Sequence, residues 1–244
     1  MDSKRQFRLN YTEDFRVACG INNLNCDEVL QYFISKVSFY AFNGGEMDAS
    51  AMMATSIIVQ CKEETGGEIV PVTDKKIQKI FLKHIQILHK LSINPHLGTM
   101  EKIQESFYLM DEWSMEMLPL VDYESSIVMD PDHALILSFD FNLLCRINGL
   151  NIISVLQFFI DKISLAVDRA INLNGVVKAE PAMALFQMFL VSRTLNDKHI
   201  VKQEVYDNFV ERLQDLDGWL SEENDIDKRI SAYKTFYLEW FRKL

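Results

Sequence analysis

The chain has little glycine and proline, with 9 Gly and 5 Pro in 244 residues. Because tight turns depend on these two residues, their scarcity disfavours an all-β fold and favours long helices. The cysteines are also few and form no CxxC pair, which disfavours a disulfide framework; they are Cys19, Cys26, Cys61 and Cys145. The longest charge-free apolar-rich run, 147–160, has 14 residues and is too short to span a bilayer.

The motifs of common catalytic and metal sites are missing as well. The sequence has no HExxH or ExxH metal motif, no GxSxG nucleophile motif, and no glycine-rich turn followed by Lys-Ser or Lys-Thr. His84 and His89 are five residues apart, a spacing that places them on different sides of a helix. We therefore predict a protein that is not an enzyme and holds neither a cofactor nor a metal ion.

Positive charge is in the minority in both halves of the chain. The net charge is −10; residues 1–124 carry 12 basic and 18 acidic side chains, and residues 125–244 carry 13 and 17. Neither half is basic, which disfavours a nucleic-acid partner. The polar, charged start has no apolar segment typical of a signal peptide. These features predict a cytoplasmic protein that does not enter the membrane.

What the sequence does contain is an internal repeat. Residues 21–38, INNLNCDEVLQYFISKVS, are identical to residues 147–164, INGLNIISVLQFFIDKIS, at 11 of 18 positions. The match extends along most of the chain at a similar offset, close to 126 residues. We therefore predict a tandem duplication with repeats 1–124 and 125–244, joined at 119–134, where Asp130-Pro131-Asp132 would break any helix.

Both repeats have the same predicted order of elements, which gives a mainly α fold of two pseudo-symmetric halves. A short alternating stretch comes first, then a brief helical turn, a long helix and three more helices. The predicted apolar stripes of the long helices include Val29, Leu30, Phe33, Ile34, Val37 and Ala41, and Val155, Leu156, Phe159, Ile160, Ile163 and Val167. The later helices are predicted at 48–63, 74–91 and 100–118, then at 180–195, 199–216 and 226–243. Their predicted capping or first-turn residues are Asp48, Asp74, Thr99 and Pro181.

The alternating stretches suggest a reason for the duplication. Residues 5–11 and 134–140 would pair as a two-stranded antiparallel ribbon, one strand from each half, since an isolated strand leaves its backbone groups unpaired. The chain would then be a fused ancestral homodimer with a pseudo-two-fold axis. The alternative is that both stretches are extended leads into helices and do not pair with each other.

Several polar residues occupy equivalent positions in both repeats. Capping and loop geometry account for the asparagines at 22, 148, 25 and 151. Shared ancestry is one explanation of the other shared residues, at 31/157, 36/162 and 38/164. The other explanation, which we predict, is that four of them bind a protein partner at the junction of the halves: Gln31, Gln157, Lys36 and Lys162. The methionine-rich segments MDASAMMATS and YLMDEWSMEML would offer an adaptable apolar surface, or else pack in the core. A monomer and a homodimer are both open, as is an apolar ligand pocket between helices.

The N-terminal order of strand, short helix, loop and helix resembles the ribbon-helix-helix DNA-binding fold. In that family, paired strands present their outward residues to the bases in the major groove. The resemblance covers about 35 residues per repeat and implies that Gln6, Arg8 and Asn10 would be the readers. The outer face of the second strand would carry Ile136, Ser138 and Asp140, of which the aspartate would repel phosphate. A DNA-binding regulator is therefore the alternative function, and a non-enzymatic regulatory or interaction protein is the main prediction.

Overall fold

The computed structural model describes residues 9–41, 48–65, 75–120, 126–130, 133–173, 175, 180–196 and 203–243. Within these ranges the chain forms eleven α-helices, one 3-10 turn and a two-stranded antiparallel sheet, so the predicted mainly α fold is confirmed. In chain order, the elements are α1 Glu13–Ile21, α2 Cys26–Lys36, α3 Ala49–Thr65, α4 Lys75–Ser92, α5 Thr99–Met117, the 3-10 turn Leu118–Leu120, β1 Ser126–Asp130, β2 His133–Ile136, α6 Phe139–Ile147, α7 Ile152–Lys162, α8 Leu165–Asn172, α9 Pro181–Asn196, α10 Gln203–Leu220 and α11 Ile226–Phe241.

The six later helices begin and end within four residues of their predicted bounds. Asp48 caps α3 as predicted, because its Oδ1 accepts the backbone N–H of Ser50 at 2.9 Å. The prediction of Thr99 as the cap of α5 is wrong: Thr99 is helical, and Gly98 precedes it with its N–H bonded to Glu101 Oε2 at 2.8 Å. Asp74 lies outside the described residues.

The predicted long helices are shorter than expected, since α2 ends at Lys36 and α7 ends at Lys162. After α2, the hydroxyl of Thr55 accepts the N–H of Ser38 at 3.1 Å and donates to its carbonyl at 3.0 Å. After α7, Ser164 caps the separate helix α8 by accepting the N–H of Val167 at 3.3 Å. After both α2 and α7, a hydroxyl group therefore bonds to backbone that follows the end of the helix.

The sheet is a hairpin in which β1 and β2 pair antiparallel, with Ile127 opposite Leu135 and both buried. The predicted joint at 119–134 is therefore no plain linker, because it contains β1. The predicted strand 134–140 is also too long: it ends at Ile136, and Ser138 caps α6, which begins at Phe139. The prediction of a ribbon with one strand from each half is wrong for the described residues: β2 pairs with β1 of the same predicted half, and residues 9–11 belong to no strand. Residues 5–8 of the other predicted strand lie outside the described residues.

The chain divides into two compact units. The first comprises Leu9 and Phe33–Leu156, and the second comprises Asn10–Tyr32 and Gln157–Leu244. Their bounds differ from those of the predicted sequence repeats, since α1 belongs to the second unit with α8–α11 and α6 belongs to the first with α3–α5. The chain passes from one unit to the other inside α2 and again inside α7.

An aromatic cluster forms part of the core of the first unit. Trp113 of α5 is fully buried and meets the rings of Phe39 and Phe81 edge-on, each with centroids 4.9 Å apart. His84 of α4 is also fully buried and stacks on Trp113 at 5.4 Å. These contacts fix α4 against α5 through large apolar surfaces.

The core of the second unit joins α1 to α8 and α11. Val17 of α1 packs in a buried cluster with Ala170 of α8 and with Tyr233 of α11. Gly20 lies under the ring of Phe241, and a Cβ at this position would overlap that ring. A larger residue at this position would therefore force the partly exposed ring of Phe241 to move.

Candidate functional site

Gln157 holds the backbone of Asn10 within the second unit. Its Oε1 accepts the N–H of Asn10 at 2.9 Å, and its Nε2 donates to the carbonyl of Asn10 at 2.9 Å. The same Nε2 donates to Asp161 Oδ1 at 2.8 Å. The Gln157 side chain thus bonds both backbone groups of Asn10, as a neighbouring strand would. Asn10 itself belongs to no helix or strand of the described chain.

The other predicted partner-binding residues are distributed over both units. Gln31 and Lys162 belong to the second unit, where Lys162 Nζ lies 5.0 Å from the centre of the Phe158 ring. Lys36 belongs to the first unit and forms a salt bridge with Asp48 at 3.0 Å. The Ser50 hydroxyl and then Lys36 lower the pKa of Asp48 to about 2. Whether these residues bind a partner stays a prediction, as it does for Gln6 and Arg8, which lie outside the described residues.

The asparagines at equivalent positions of the predicted repeats have corresponding hydrogen bonds. Asn22 Nδ2 donates to the carbonyl of Ala18 at 2.8 Å, and Asn148 Nδ2 donates to the carbonyl of Leu144 at 2.7 Å. The side chains of the asparagines at 25 and 151 each accept a backbone N–H two residues later at 2.9 Å. These residues therefore cap and close turns, as the sequence predicts.

A pair of thiols lies where α1 and α2 meet. Cys19 is buried and Cys26, the first residue of α2, is half-buried. The hydrogen bond between the two side chains lowers the pKa of Cys26 and, together with burial, raises the pKa of Cys19. Cys26 is therefore the thiol that ionises first, and its place at a helix N-terminus favours the thiolate further. The sequence gives no signal for this pair, because the two cysteines are not spaced as a CxxC motif.

Exposed apolar side chains are concentrated on the hairpin formed by α4 and α5 in the first unit. Seven large apolar residues are between 40% and 75% exposed there, and they define the α4–α5 surface: Leu82, Ile85, Ile93, Met100, Phe107, Tyr108 and Met115. Among the described side chains of α10 and α11, the corresponding set is smaller and consists of Trp219, Ile226 and Phe241. Exposed apolar residues that form one continuous patch are typical of an interaction surface.

The methionine-rich segment YLMDEWSMEML has residues both on the exposed surface and in the core, the two uses that the sequence predicts for it. Tyr108 and Met115 belong to the α4–α5 surface, whereas Met110 and Met117 are fully buried. Periodicity alone places these residues on opposite sides of α5. Periodicity does not tell which of these two sides is covered by other helices and which remains exposed.

The two helices of the hairpin carry opposite charges. Five lysines and no acidic residue occur in α4, whereas α5 has five acidic residues and one lysine. Within one chain, Lys83 of α4 pairs with Glu116 of α5. The bond to Lys83 lowers the pKa of Glu116. The exposed apolar side chains of the hairpin are therefore carried by one basic helix, α4, and one acidic helix, α5.

A groove runs along the end of the hairpin where α4 and α5 connect. Its volume is about 530 Å³, and its lining includes Leu88 and Ser92 of α4 and Ile103 of α5. Lys102 Nζ donates to the carbonyl of Ser92 at 2.9 Å. The groove lies beside exposed apolar residues and extends the α4–α5 surface toward the interior of the hairpin.

A second cavity in the first unit bears on the possibility of an apolar ligand. It has a volume of about 430 Å³ and is lined mainly by apolar side chains, among them Ile77, Phe81 and Ile147. Lys62 stands at this cavity and donates to Asn148 Oδ1 at 3.2 Å. The cation already has a partner in the chain, and the remaining polar residue of the lining is Gln78.

No protein-family model, no curated protein and no solved structure matches this chain.

Proposed function

We propose that the chain is a non-enzymatic, cytoplasmic regulatory or interaction protein that binds a protein partner through the α4–α5 surface. The observation that carries this proposal is the set of seven large apolar residues exposed on one helical hairpin. Exposing such side chains to water is unfavourable by about 25 cal/mol per Å² of apolar surface. A partner that covers them recovers this free energy, which is the usual basis of a protein interface.

We further propose that the chain arose by tandem duplication. The turn after α1 and the turn after α6 support this, because each has a left-handed residue at the same place: Asn23 with φ of 51° and Gly149 with φ of 66°, 126 residues apart. Thr12 and Ser138, also 126 residues apart, cap α1 and α6 by accepting a backbone N–H at 3.2 Å. Equal hydrogen bonds at a constant offset are expected of two copies of one ancestral fold.

The division into units favours a particular form of that ancestor. Each unit contains the first helix of one repeat and the three last helices of the other. Exchange of an identical element between two protomers is domain swapping. The duplication would therefore have fused a homodimer whose protomers had exchanged their first helices. This exchange would explain why both copies are needed in one chain, since each completes the unit of the other.

The test compares the proteins that the tagged chain captures from an extract of the cells that express it. The variant Tyr108→Ser/Met115→Ser removes two exposed residues of the α4–α5 surface. The matched control Trp219→Ser/Ile226→Ser removes two exposed residues of α10 and α11. A specific partner should be retained by the wild-type chain and the control and reduced about tenfold or more in the variant. Equal recovery by all three proteins would contradict the proposal.

The DNA-binding alternative stays a prediction. Its residues Gln6 and Arg8 lie outside the described residues, and the backbone of Asn10 is bound by Gln157. The same eluates address this alternative, since it requires bound DNA that is lost in Arg8→Ala and weakened steeply by salt.

A further inference from the structure

We propose that the α4–α5 hairpin binds the α4–α5 hairpin of a second copy of this chain, so that the two hairpins form a four-helix bundle. The inference rests on the proposed function, because it names the partner of the same surface. Apolar side chains on both helices would be covered at once, since in a two-fold interface each subunit contributes the same surface.

Charge complementarity favours a second copy as the partner. The helix α4 has five lysines without an acidic residue, and α5 has five acidic residues with one lysine. A two-fold axis between the hairpins can place α4 of each copy beside α5 of the other. Opposite charges then meet twice in one interface, whereas placing α4 against α4 would bring ten lysines together. The surface is therefore complementary to itself in one arrangement only.

The positions of the charges agree with this arrangement. In α4, Lys79 and Lys90 are exposed and lie within 80° of Leu82 around the helix at 100° per residue. In α5, Glu105 and Glu112 are exposed and lie within 60° of Tyr108. Each exposed apolar stripe thus has charges of one sign along one of its edges, as the apolar seam of paired helices has along its edges.

The exposed apolar area supplies part of what a specific dimer requires. Aromatic side chains bury about 150–250 Å² each, and the side chains of the α4–α5 surface, two of which are aromatic, are 40% to 75% exposed. Covering four or five of them removes several hundred Å² per subunit, before the polar rim is counted. A standard interface takes about 800 Å² from each partner.

The test uses charge reversal on the full chain and measures molar mass by light scattering and sedimentation equilibrium. The first variant is Lys79→Glu/Lys90→Glu, which makes α4 acidic at its exposed edge. The second is Glu105→Lys/Glu112→Lys, which makes the edge of α5 basic. Low salt, about 50 mM, keeps the exposed charges effective. The control Glu211→Lys/Asp215→Lys makes the same charge change on α10, at residues that are also exposed.

The wild-type chain and the control should be dimers at about 100 μM. Each charge-reversed variant should dissociate, with its dimer dissociation constant raised about tenfold or more. An equimolar mixture of the two variants should dimerise again, because each α4 then meets an α5 of opposite charge. Circular dichroism that matches the wild-type spectrum shows that loss of the dimer is not loss of the fold.

A wild-type chain that is monomeric at 100 μM would overturn the inference, and so would variants that dimerise as tightly as the wild type. Dissociation of both variants without recovery in the mixture would overturn the two-fold arrangement. If the chain is monomeric and Tyr108→Ser/Met115→Ser still loses a captured partner, the inference is wrong and the proposed function stands. If the chain dimerises but no captured partner depends on this surface, the inference stands and the proposed binding of another protein is wrong.

Discussion

Gln157→Met removes the amide that holds Asn10 and keeps the length and helix propensity of the side chain. Two hydrogen bonds to the Asn10 backbone are lost, each of 2.9 Å. A net hydrogen bond contributes about 0.5–1.5 kcal/mol, and the exposure of Asn10 places both bonds in the lower half of that range. The bond to Asp161 lies within α7 and does not contribute to the attachment of Asn10. We therefore expect the attachment of Asn10 to weaken by about 1–2 kcal/mol.

The direct assay is amide hydrogen exchange at Asn10 followed by NMR. The N–H of Asn10 should be protected in the wild-type chain although it belongs to no helix or strand, and it should exchange about 5–30 times faster in Gln157→Met. Gln157→Glu keeps an acceptor for this N–H but loses the donor and places a carboxylate beside Asp161, so its exchange rate should be intermediate. The control Gln104→Met changes an exposed glutamine of α5 and should leave the rate unaltered.

An unprotected Asn10 amide in the wild-type chain would refute this reasoning, as would an equal rate in Gln157→Met. The experiment also bears on the prediction that Gln157 binds a partner. If its main role were at an interface, Gln157→Met would weaken partner binding and leave the exchange of Asn10 unchanged.

Three other predictions concern the proposed exchange of the first helices, the thiol pair and a surface carboxylate. Separately expressed 1–124 and 125–244 should each be largely unfolded, since each lacks a helix of its unit, and should gain helical circular dichroism when mixed; two independently folded halves would contradict the exchange. Cys26 should be the first cysteine to react with a thiol reagent, and its reaction should be lost in Cys26→Ser; an equally fast thiol elsewhere would contradict the assignment of the thiolate. Ser50→Ala should raise the pKa of Asp48 from about 2 toward 3.8, as measured by NMR titration of the carboxyl group. Because the folded-state pKa is lowered, the stabilisation by Asp48 is present above about pH 4 and is lost as the pH falls toward 2; an unchanged pKa in the variant would exclude Ser50 as its main cause.

The helices and their buried faces could be predicted from the sequence because both depend on neighbouring residues. Val29, Leu30 and Phe33 recur at helical spacing and are buried in α2, and Pro181 starts α9 as its fixed φ favours. The capping asparagines were also predictable, since each bonds to backbone only a few residues away. Such interactions are local and leave a direct pattern in the sequence.

Elements that depend on distant partners were not predictable. Ser38, which follows the end of α2, bonds to Thr55, 17 residues away. The bond of Gln157 to Asn10 joins residues 147 positions apart. The sequence showed the methionines of α5, but not which of its sides is covered, because helical periodicity describes the order of residues around one helix and carries no information on its neighbours.

The sequence alone thus determined that this chain is helical, where most of its helices lie and which asparagines close its turns. Only the tertiary structure decided that α1 packs with the last helices of the chain, that Gln157 binds backbone, and that apolar side chains remain exposed on α4 and α5. The physical reason is the range of the interactions. Turns and helices form through contacts between near neighbours, whereas the pairing of helices depends on surfaces that meet only when the whole chain has folded.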